Sequence, residues 1–419
     1  MNQPLPPLRQ PSASQLRVMP VCECFDDRSF GLSRAAVAFT TYLHGVAVPA
    51  ALSLKRLSGK EPAGLTMVSF DSASMMRMPS RGIVDHALAN AVDIVHFHGV
   101  WTMAIKQIAR LKELGIGVIV SPHGMLEDYI INHHRLRKWL FSTLIQRSCL
   151  RQADVIHALN DHEAECIRKY VGTSAPIVVI PNGVEAVEAA DALALADRKR
   201  RFLYMGRLHE KKRLDLLLEA WSQASIAEQA ELVIAGSGEG AYAERIIARC
   251  HETLGVRYVG YLAGADRAQA QAQSTFGILT SLSEGQPLSV LESLACGRPC
   301  IATSGCRMPM IERERLGWLG DEVAAIADAM RSACYLPDSE YRAMARRCRT
   351  YVKDNHDWHA NAHRMGDTYR QVMVRGLSRT HASERRRPVP LQTANSFRMS
   401  QVMRHVRLRP GLGAADGNR

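Results

Sequence analysis

Short apolar runs alternate along the chain with longer stretches whose apolar positions recur at helical spacing, the signature of parallel βαβ units. In the first half, the short runs predict strands at Leu16–Cys22, Leu65–Phe70, Val92–Phe97, Gly117–Val120, Val155–Leu159 and Ile177–Ile180. Helical periodicity between them predicts helices at Leu32–Leu43, Gly82–Ala89, Thr102–Leu114, Leu136–Leu150 and His162–Tyr170. Ile180-Pro181-Asn182-Gly183 then supplies turn signals, and no strong periodicity follows until Phe202, which places a domain boundary there. The second half restarts the alternation, with strands at Arg201–Met205, Glu231–Ala235, Val256–Val259, Phe276–Leu279 and Pro299–Ala302. Its helices are predicted at Leu214–Ser222, Gly240–Leu254, Arg267–Ser274, Leu288–Ala295, Glu322–Ala333, Ser339–Asp354 and His359–Val374. The expected architecture is therefore two doubly wound α/β domains, 16–181 and 201–356, joined by a 182–200 linker. A 1–15 leader precedes them, a 357–375 helix closes them, and an unstructured 376–419 tail follows.

Composition changes this picture at three points. A 47% apolar share is too high for a disordered chain, and 6% aromatics argue against an aromatic-rich β-sandwich or propeller. The stretch Ala35–Leu54 has no Lys, Arg, Asp or Glu and mimics a membrane span, but His44, Gly45 and Pro49 interrupt it. A buried helix followed by a strand is expected, in a soluble chain. The opening 17 residues carry four prolines and no apolar core, so no secretory signal is expected. The ten cysteines are scattered without paired CxxC spacing, consistent with a reduced cytosol and with small buried residues rather than zinc ligands.

The third point is charge. The net +12 is uneven: nine arginines and two acids lie between Gly376 and Arg419, so that segment alone carries +7. Such a tail suits an anionic membrane surface or nucleic acid, and it is equally what a merely soluble, unstructured end looks like.

Doubly wound sheets bind ligands beyond the carboxyl ends of their strands, so the post-strand loops are where chemistry is sought. Gly206-Arg207-Leu208-His209-Glu210-Lys211-Lys212 follows a strand. Arg207 and Lys212 could converge with a helix N-terminus on a diphosphate, or the loop could simply be solvated. Gly236-Ser237-Gly238-Glu239-Gly240-Ala241 fits the loose GxGxxA pattern, but no acidic residue closes the next strand, so it fails as a dinucleotide fingerprint. It reads as a tight turn that can approach a ligand through its backbone. In Ser283–Pro299, Glu284 lies in a loop and Glu292 about one turn into a helix, with seven residues between them. Gly285 permits unusual backbone angles, and Pro287 suits a first helical position. Paired hydroxyls, as in ribose, match the two oxygens of a carboxylate. A plain helix capped by Ser283 with an exposed Glu292 is the alternative. In the first half, His123 ends a strand, and His96 and His98 share a face by alternation; without nearby Cys or carboxylate partners they do not read as metal ligands. Asn160 with Glu163 matches an N-cap and a third-position carboxylate.

Taken together, Gly206–Lys212, the Gly236-Ser237-Gly238 turn and Glu284–Pro299 resemble, in order and spacing, retaining glycosyltransferase family four. Asp154–Glu163, Ile180–Val184 and Asp357-Trp358 resemble that family's interdomain region and last helix, and SPHGML with GVW at 99–101 is similar to its bacterial polysaccharide-assembly members. The resemblance covers roughly residues 16 to 375. It implies the GT-B fold: two Rossmann-like doubly wound domains facing a cleft, with C-terminal helices and a disordered basic tail. It assigns the donor diphosphate to Arg207 and Lys212, the ribose to Glu292, the transferred sugar to Glu284, and sugar and phosphate support to Gly236 and to Gly285, Gln286, Pro287 and Leu288. His123 would lie near the reacting carbon, and His98 and Trp101 on the acceptor side. Gly31 falls where the family has a glycine-rich loop under the phosphates, here lacking the usual glycine pair. The segment after Ser304, Cys306-Arg307-Met308-Pro309, also departs from the pattern.

What the resemblance implies is metal-independent transfer of a hexose from a UDP- or GDP-linked sugar to a lipid-linked or polysaccharide precursor. No bound cofactor is expected beyond that co-substrate. A cytoplasmic location follows, possible at the inner membrane face through the basic tail; nucleic acid is not expected as a partner. Two other readings stay open: a GT-B nucleotide-sugar epimerase, and a non-catalytic membrane- or nucleic-acid-binding protein that works through the tail.

Overall fold

The computed structural model describes residues 16–22, 31–43, 47–49, 51–53, 67–69, 82–132, 139–172, 176–185 and 199–384. The leader 1–15, most of the linker and tail residues 385–419 lie outside them. Two parallel sheets organise the described chain. The first has eight strands: β1 (Leu16–Cys22), β2 (Ala47–Pro49), β3 (Ala51–Ser53), β4 (Met67–Ser69), β5 (Ile94–His98), β6 (Gly117–Ser121), β7 (Val155–Ala158) and β8 (Ile177–Val179). Their order is β4-β3-β1-β5-β6-β7-β8, with β2 also paired to β1. The second sheet has six: β9 (Arg200–Met205), β10 (Ala230–Ala235), β11 (Val256–Gly260), β12 (Phe276–Leu279), β13 (Cys300–Ala302) and β14 (Gly317–Leu319). They run β11-β10-β9-β12-β13-β14, so chain direction across the sheet reverses between β9 and β12. Loops leaving those two strands must open a crevice there.

Strands covered on both faces need to be apolar throughout, and they are. All of β5, β6, β7 and β12 is buried. In the second lobe, Phe202 of β9 pairs in register with Leu232 and Phe276, and the Phe202 and Phe276 rings stack 5.1 Å apart. Trp221, fully buried on helix Leu214–Ala224, meets Phe202 edge-on and donates its indole N–H to Leu254 O at 2.9 Å.

The last helix, Trp358–Glu384, returns to the first lobe. Trp358, Met365, Tyr369 and Val372 share a core with Val18, Phe39, Ile94 and Ile119. Asp357 Oδ1 caps it by accepting from Ala360 N at 2.7 Å. The Pro181–Val184 segment is packed against its start: Asn361 Nδ2 donates to Pro181 O at 3.0 Å, and a side chain on Gly183 would run into Trp358. Among the described residues no helix is long and apolar enough to cross a membrane.

Several predicted elements are corrected. The apolar stretch 35–54 is the helix Gly31–Tyr42 followed by two short strands, β2 and β3, rather than one. The helix predicted at Thr102–Leu114 is split into a 3₁₀ turn, Met103–Gln107, capped by Thr102, and a helix Ile108–Glu113. The short β14, missed in the sequence, pairs with β13 along the sheet edge. The final helix continues to Glu384, so residues 376–384 of the expected tail are helical.

Candidate active site

At the reversal point two glycine loops are bonded to each other. Gly206 N donates to Ala235 O at 3.0 Å and Leu208 N to Ser237 O at 2.9 Å. Gly236 has φ 152°, and a Cβ there would overlap the Gly206 carbonyl, so only glycine closes this junction. Tyr204 Oη donates to Arg207 O at 2.7 Å, which fixes the loop that carries the cations. Beyond it His209 Nδ1 accepts from Lys211 N at 3.1 Å and caps the 3₁₀ turn Glu210–Lys212. That turn aims Lys212 across to the loop after β12, where its ammonium meets Glu284 Oε1 at 2.5 Å. Ser281 Oγ donates to the same oxygen. Burial alone would raise the Glu284 carboxyl, but Lys212 and Lys211 overcome it and hold it below the ordinary value. Glu284 is thus an ionised carboxylate in a half-dry site. Burial pulls Arg207 and Lys211 below their ordinary values, with Glu284 opposing the shift.

These groups line a cavity of about 330 Å³ between the lobes. Arg207, Lys211, Lys212, Gly236, Arg267 and Glu284–Ser289 form the second-lobe wall, and Leu32, Arg34, His123, Gly124, Met125 and Ile130 the first-lobe wall. Leu288 is the first residue of helix Leu288–Ala295, so the positive end of that helix opens onto the cavity. The loop 283–286 is clamped by the first lobe. Asn160 Nδ2 donates to Gly285 O at 2.6 Å, Asn182 N to Gln286 Oε1 at 2.6 Å, and Ser283 Oγ to Glu127.

Glu292 is held differently from Glu284. Its Oε1 accepts from Arg34 of the first lobe, and its Oε2 from Arg267 and from Gln271 Nε2 at 2.9 Å. Its carboxylate is behind these arginines and not on the cavity wall.

On the first-lobe side, His123 takes a left-handed φ of 54° and its Nε2 lies 2.9 Å from His98 Nδ1. Glu163 fixes the turn that follows: its two oxygens accept from Gly124 N at 2.5 Å and Leu159 N at 2.8 Å. Burial pushes its carboxyl up to about 7 despite those bonds. Behind His98 runs a chain of polar groups, each contact between 2.6 and 2.9 Å: Tyr369 Oη to His96, His96 to Ser121 Oγ, Ser121 to His157, and His157 Nε2 to Ile180 O. A carbonyl can only accept, so His157 donates there through Nε2 and accepts from Ser121 at Nδ1. Burial depresses the basicity of all four histidines, His157 to about 4 and His96, His98 and His123 well below the ordinary value. They stand neutral at pH 7.

Two family models match the chain: "Glycosyltransferase Family 4" over residues 39–188 and "Glycosyl transferases group 1" over residues 199–334. Each falls on one lobe, and together they span more than half of the sequence. The chain belongs to glycosyltransferase family four. Among the curated relatives of this family-four member is an alpha-monoglucosyldiacylglycerol synthase of Streptococcus pneumoniae, 24% identical over 50% of this chain and 52% of the relative. Another is the Escherichia coli UDP-Gal:alpha-D-GlcNAc-diphosphoundecaprenol alpha-1,3-galactosyltransferase, 26% identical over 51% of this chain and 58% of the relative. The chain spans only a little over half the length of these relatives. Sucrose-phosphate synthase from Thermosynechococcus elongatus superposes with a TM-score of 0.72 at 17% identity, covering 86% of this chain and 100% of the other. The Anabaena protein HepE in complex with UDP-glucose gives 0.68 at 15% identity over 85% and 100%. The GT-B fold expected from the sequence is thereby established.

The family-four frame makes clear which expected residues come together. Arg207, Lys212, Glu284, Gly236, Gly285, Gln286, Pro287, Leu288 and His123 share the cavity wall. Gly31 opens the helix whose Leu32 and Arg34 reach that wall. His98 sits one layer back, bonded to His123. Trp101 is not on the wall; its indole N–H donates to Met125 O at 3.0 Å and its ring lies 6.1 Å from Phe141. Pro287 precedes the helix rather than starting it. Ser283 is not a helix cap, because its hydroxyl is turned to Glu127 across the cleft. Asn160 does cap its helix, accepting from Glu163 N at 2.9 Å, but the Glu163 carboxylate bonds elsewhere, so the box is half-formed. Arg34, Lys211 and Arg267 were given no role in the sequence reading, and Glu163 was read there only as a helix-capping carboxylate. Arg34 had a signal: it is the lone charge of an otherwise uncharged helix.

Proposed function

We propose that this chain is a retaining glycosyltransferase that moves a hexose from a UDP- or GDP-linked sugar to a hydroxyl of a lipid-linked or polysaccharide precursor. The observation that carries the reading is the Lys212–Glu284 pair, set with Arg207 on the wall of an interlobe cavity where the second sheet reverses. Breaking a sugar–diphosphate bond puts negative charge on the leaving phosphate and positive charge on the anomeric carbon. Arg207, Lys212 and the start of helix Leu288–Ala295 are fixed donors for the former. One such preorganised donor is worth about 3 kcal/mol, roughly a hundredfold in rate. Cations and backbone donors suffice for this stabilisation, so no metal is assigned a role.

Glu284, kept ionised by its lysine, is an acceptor for sugar hydroxyls and fixes the sugar's orientation. His123, neutral and at the mouth of the first lobe, presents its remaining ring nitrogen to the sugar. Lobe contacts around Gly285 narrow the cleft, so that an acceptor hydroxyl rather than water reaches the anomeric carbon. The lipid-linked acceptor class draws support from the names of the two curated relatives, which carry a monoglucosyldiacylglycerol as product and a diphosphoundecaprenol-linked sugar as acceptor. UDP-glucose, as bound to HepE, is the first donor to try.

The test is a panel of UDP- and GDP-sugars screened for thermal stabilisation, followed by product analysis with and without a lipid-diphosphate saccharide. Transfer with the anomeric configuration kept is expected. An altered sugar appearing without acceptor would make the chain an epimerase, and no stabilisation by any nucleotide sugar would end the proposal.

A further inference from the structure

The first-lobe segment Trp139–Leu150 is a helix that leaves three large apolar side chains exposed while it buries a glutamine. It is helical throughout, with a π-helical stretch at Ser142–Gln146. Its inward face sets polar Ser142 and Gln146, 5% and 0% exposed, beside the fully buried Leu150. Tyr170 Oη lies 2.5 Å from Ser142 Oγ and 2.6 Å from Gln146 Oε1, and Gln146 Nε2 donates to Val100 O at 2.9 Å. Its outward side exposes Trp139, Leu140 and Leu144, at 60%, 53% and 67%, together with Thr143, Arg147 and Ser148. Burying a glutamine while a tryptophan and two leucines face out reverses the distribution that burial favours, so this face calls for an apolar partner.

Charge identifies the partner. From Tyr129 to Gln152 the sequence has no Asp or Glu but five cations, Arg135, Arg137, Lys138, Arg147 and Arg151. Residues 133–138 lie outside the described residues and count here by sequence alone. Arg147, on the exposed side, lies over the Tyr170 ring at 4.9 Å. A second copy would set these like charges against one another. An anionic bilayer instead takes indole and leucine at its interface and arginine at its phosphates. The helix is also near the cavity: Phe141 abuts Trp101, which bonds the Met125 carbonyl, and Met125 is on the cavity wall.

We propose that the outward face of Trp139–Leu150 docks the first lobe on an anionic lipid surface, beside the wall where the acceptor enters. The docking stands on its own observations; only the delivery of an acceptor rests on the lipid-linked reading.

The experiment is co-sedimentation of the full chain with phosphatidylcholine vesicles, with and without about one third phosphatidylglycerol. Binding to the anionic vesicles alone is expected, with a blue shift of tryptophan emission that Trp139→Phe removes. Trp139→Ser/Leu140→Ser/Leu144→Ser should lower the partition about tenfold or more, and Leu144→Asp alone should give part of that loss. UDP binding should stay unchanged in both, because these side chains lie off the cavity. Vesicle binding by the triple variant equal to the parent's would overturn the proposal. So would a parent that ignores both vesicles, or one that dimerises through this face without binding lipid. Loss of binding when only the arginines between 385 and 409 become glutamine would assign docking to the tail and overturn it too. Vesicle binding without glycosylation of any lipid-linked acceptor would refute the acceptor class and leave the docking intact.

Discussion

Arg34 and Glu292 join the two lobes beside the interlobe cavity: the guanidinium on the first helix bonds Oε1 of a carboxylate on the second lobe. Arg267 and Gln271 hold the other oxygen, so three of the about four acceptor sites of the Glu292 carboxylate are taken, one too many for a hydroxyl pair to enter. A ribose hydroxyl pair needs one of them, and Arg34, one-third exposed, is the easier group to release. Removing it should therefore tighten nucleotide binding. Arg34→Ala is expected to raise UDP affinity about fivefold, close to 1 kcal/mol, the upper range for a partly exposed ion pair. Glu292→Ala should lower it by about tenfold or more. Titration calorimetry with UDP decides the matter: weaker binding in Arg34→Ala would make Arg34 a ligand of the diphosphate instead.

Closure of the lobes depends on two glycines in contact. A Cβ on Gly285 would stand 2.9 Å from Gly124 N and 3.0 Å from Gly124 Cα, distances that real side chains do not tolerate against backbone. Gly285→Ala should hold the loop 283–286 off the first lobe and break the Asn160 bond to Gly285 O. Because Arg207, Lys212 and the start of helix Leu288–Ala295 stay in place on the second-lobe wall, UDP binding is expected to change far less than kcat, which drops about tenfold or more. An equal loss in binding and turnover would show that the substitution disturbs the donor wall itself.

Sequence and structure agree where one local rule governs. Strands buried on both faces are continuous apolar runs, so β6, β7 and β12 were legible almost to the residue. The cation loop and Glu284 were legible because loops after strands at a sheet reversal are where ligands bind. What could not be read depends on how the lobes meet. Ser283 looks like a helix cap until Glu127 is brought opposite it, and Glu292 looks exposed until Arg34 covers it. Glu163 passes for half of a capping box because its real partner, Gly124 N, is 39 residues away. The helix Trp139–Leu150 misleads in another way: Leu150 is buried as its periodicity suggests, but so are Ser142 and Gln146, while Trp139, Leu140 and Leu144 face out.

Lys212 has two roles that can be separated by measurement. It neutralises Glu284 in a site where the two side chains are only 16% and 14% exposed, and it supplies positive charge to the cavity. Lys212→Ala leaves a carboxylate without its ion pair, so a stability loss of about 2–3 kcal/mol is expected along with a fall in kcat of about 100-fold or more. In Lys212→Ala/Glu284→Gln the stranded charge is gone and most of the stability should return. Activity should not return with it. Recovered transfer in the double variant would mean that Lys212 serves the fold alone.

Acid sensitivity should be traceable to His157. Its folded value of about 4 lies below the unfolded 6.5, chiefly because burial disfavours the charged ring. Between those values the unfolded chain binds a proton that the folded one does not, so stability falls as pH drops through that window and levels off below it. The 2.5-unit gap corresponds to about 3 kcal/mol. Glu163 works in the opposite direction: its carboxyl, raised to about 7, favours the folded state as pH falls from 7 toward 4.5. A comparison of parent and variant cancels that contribution. His157→Gln keeps an N–H for the Ile180 carbonyl but cannot be protonated. Urea unfolding at pH 7 and at pH 4 should show the parent losing about 3 kcal/mol more than the variant. Equal losses would mean that His157 is already protonated in the fold or remains solvated, and that the buried chain from Tyr369 to Ile180 does not set the protein's acid limit.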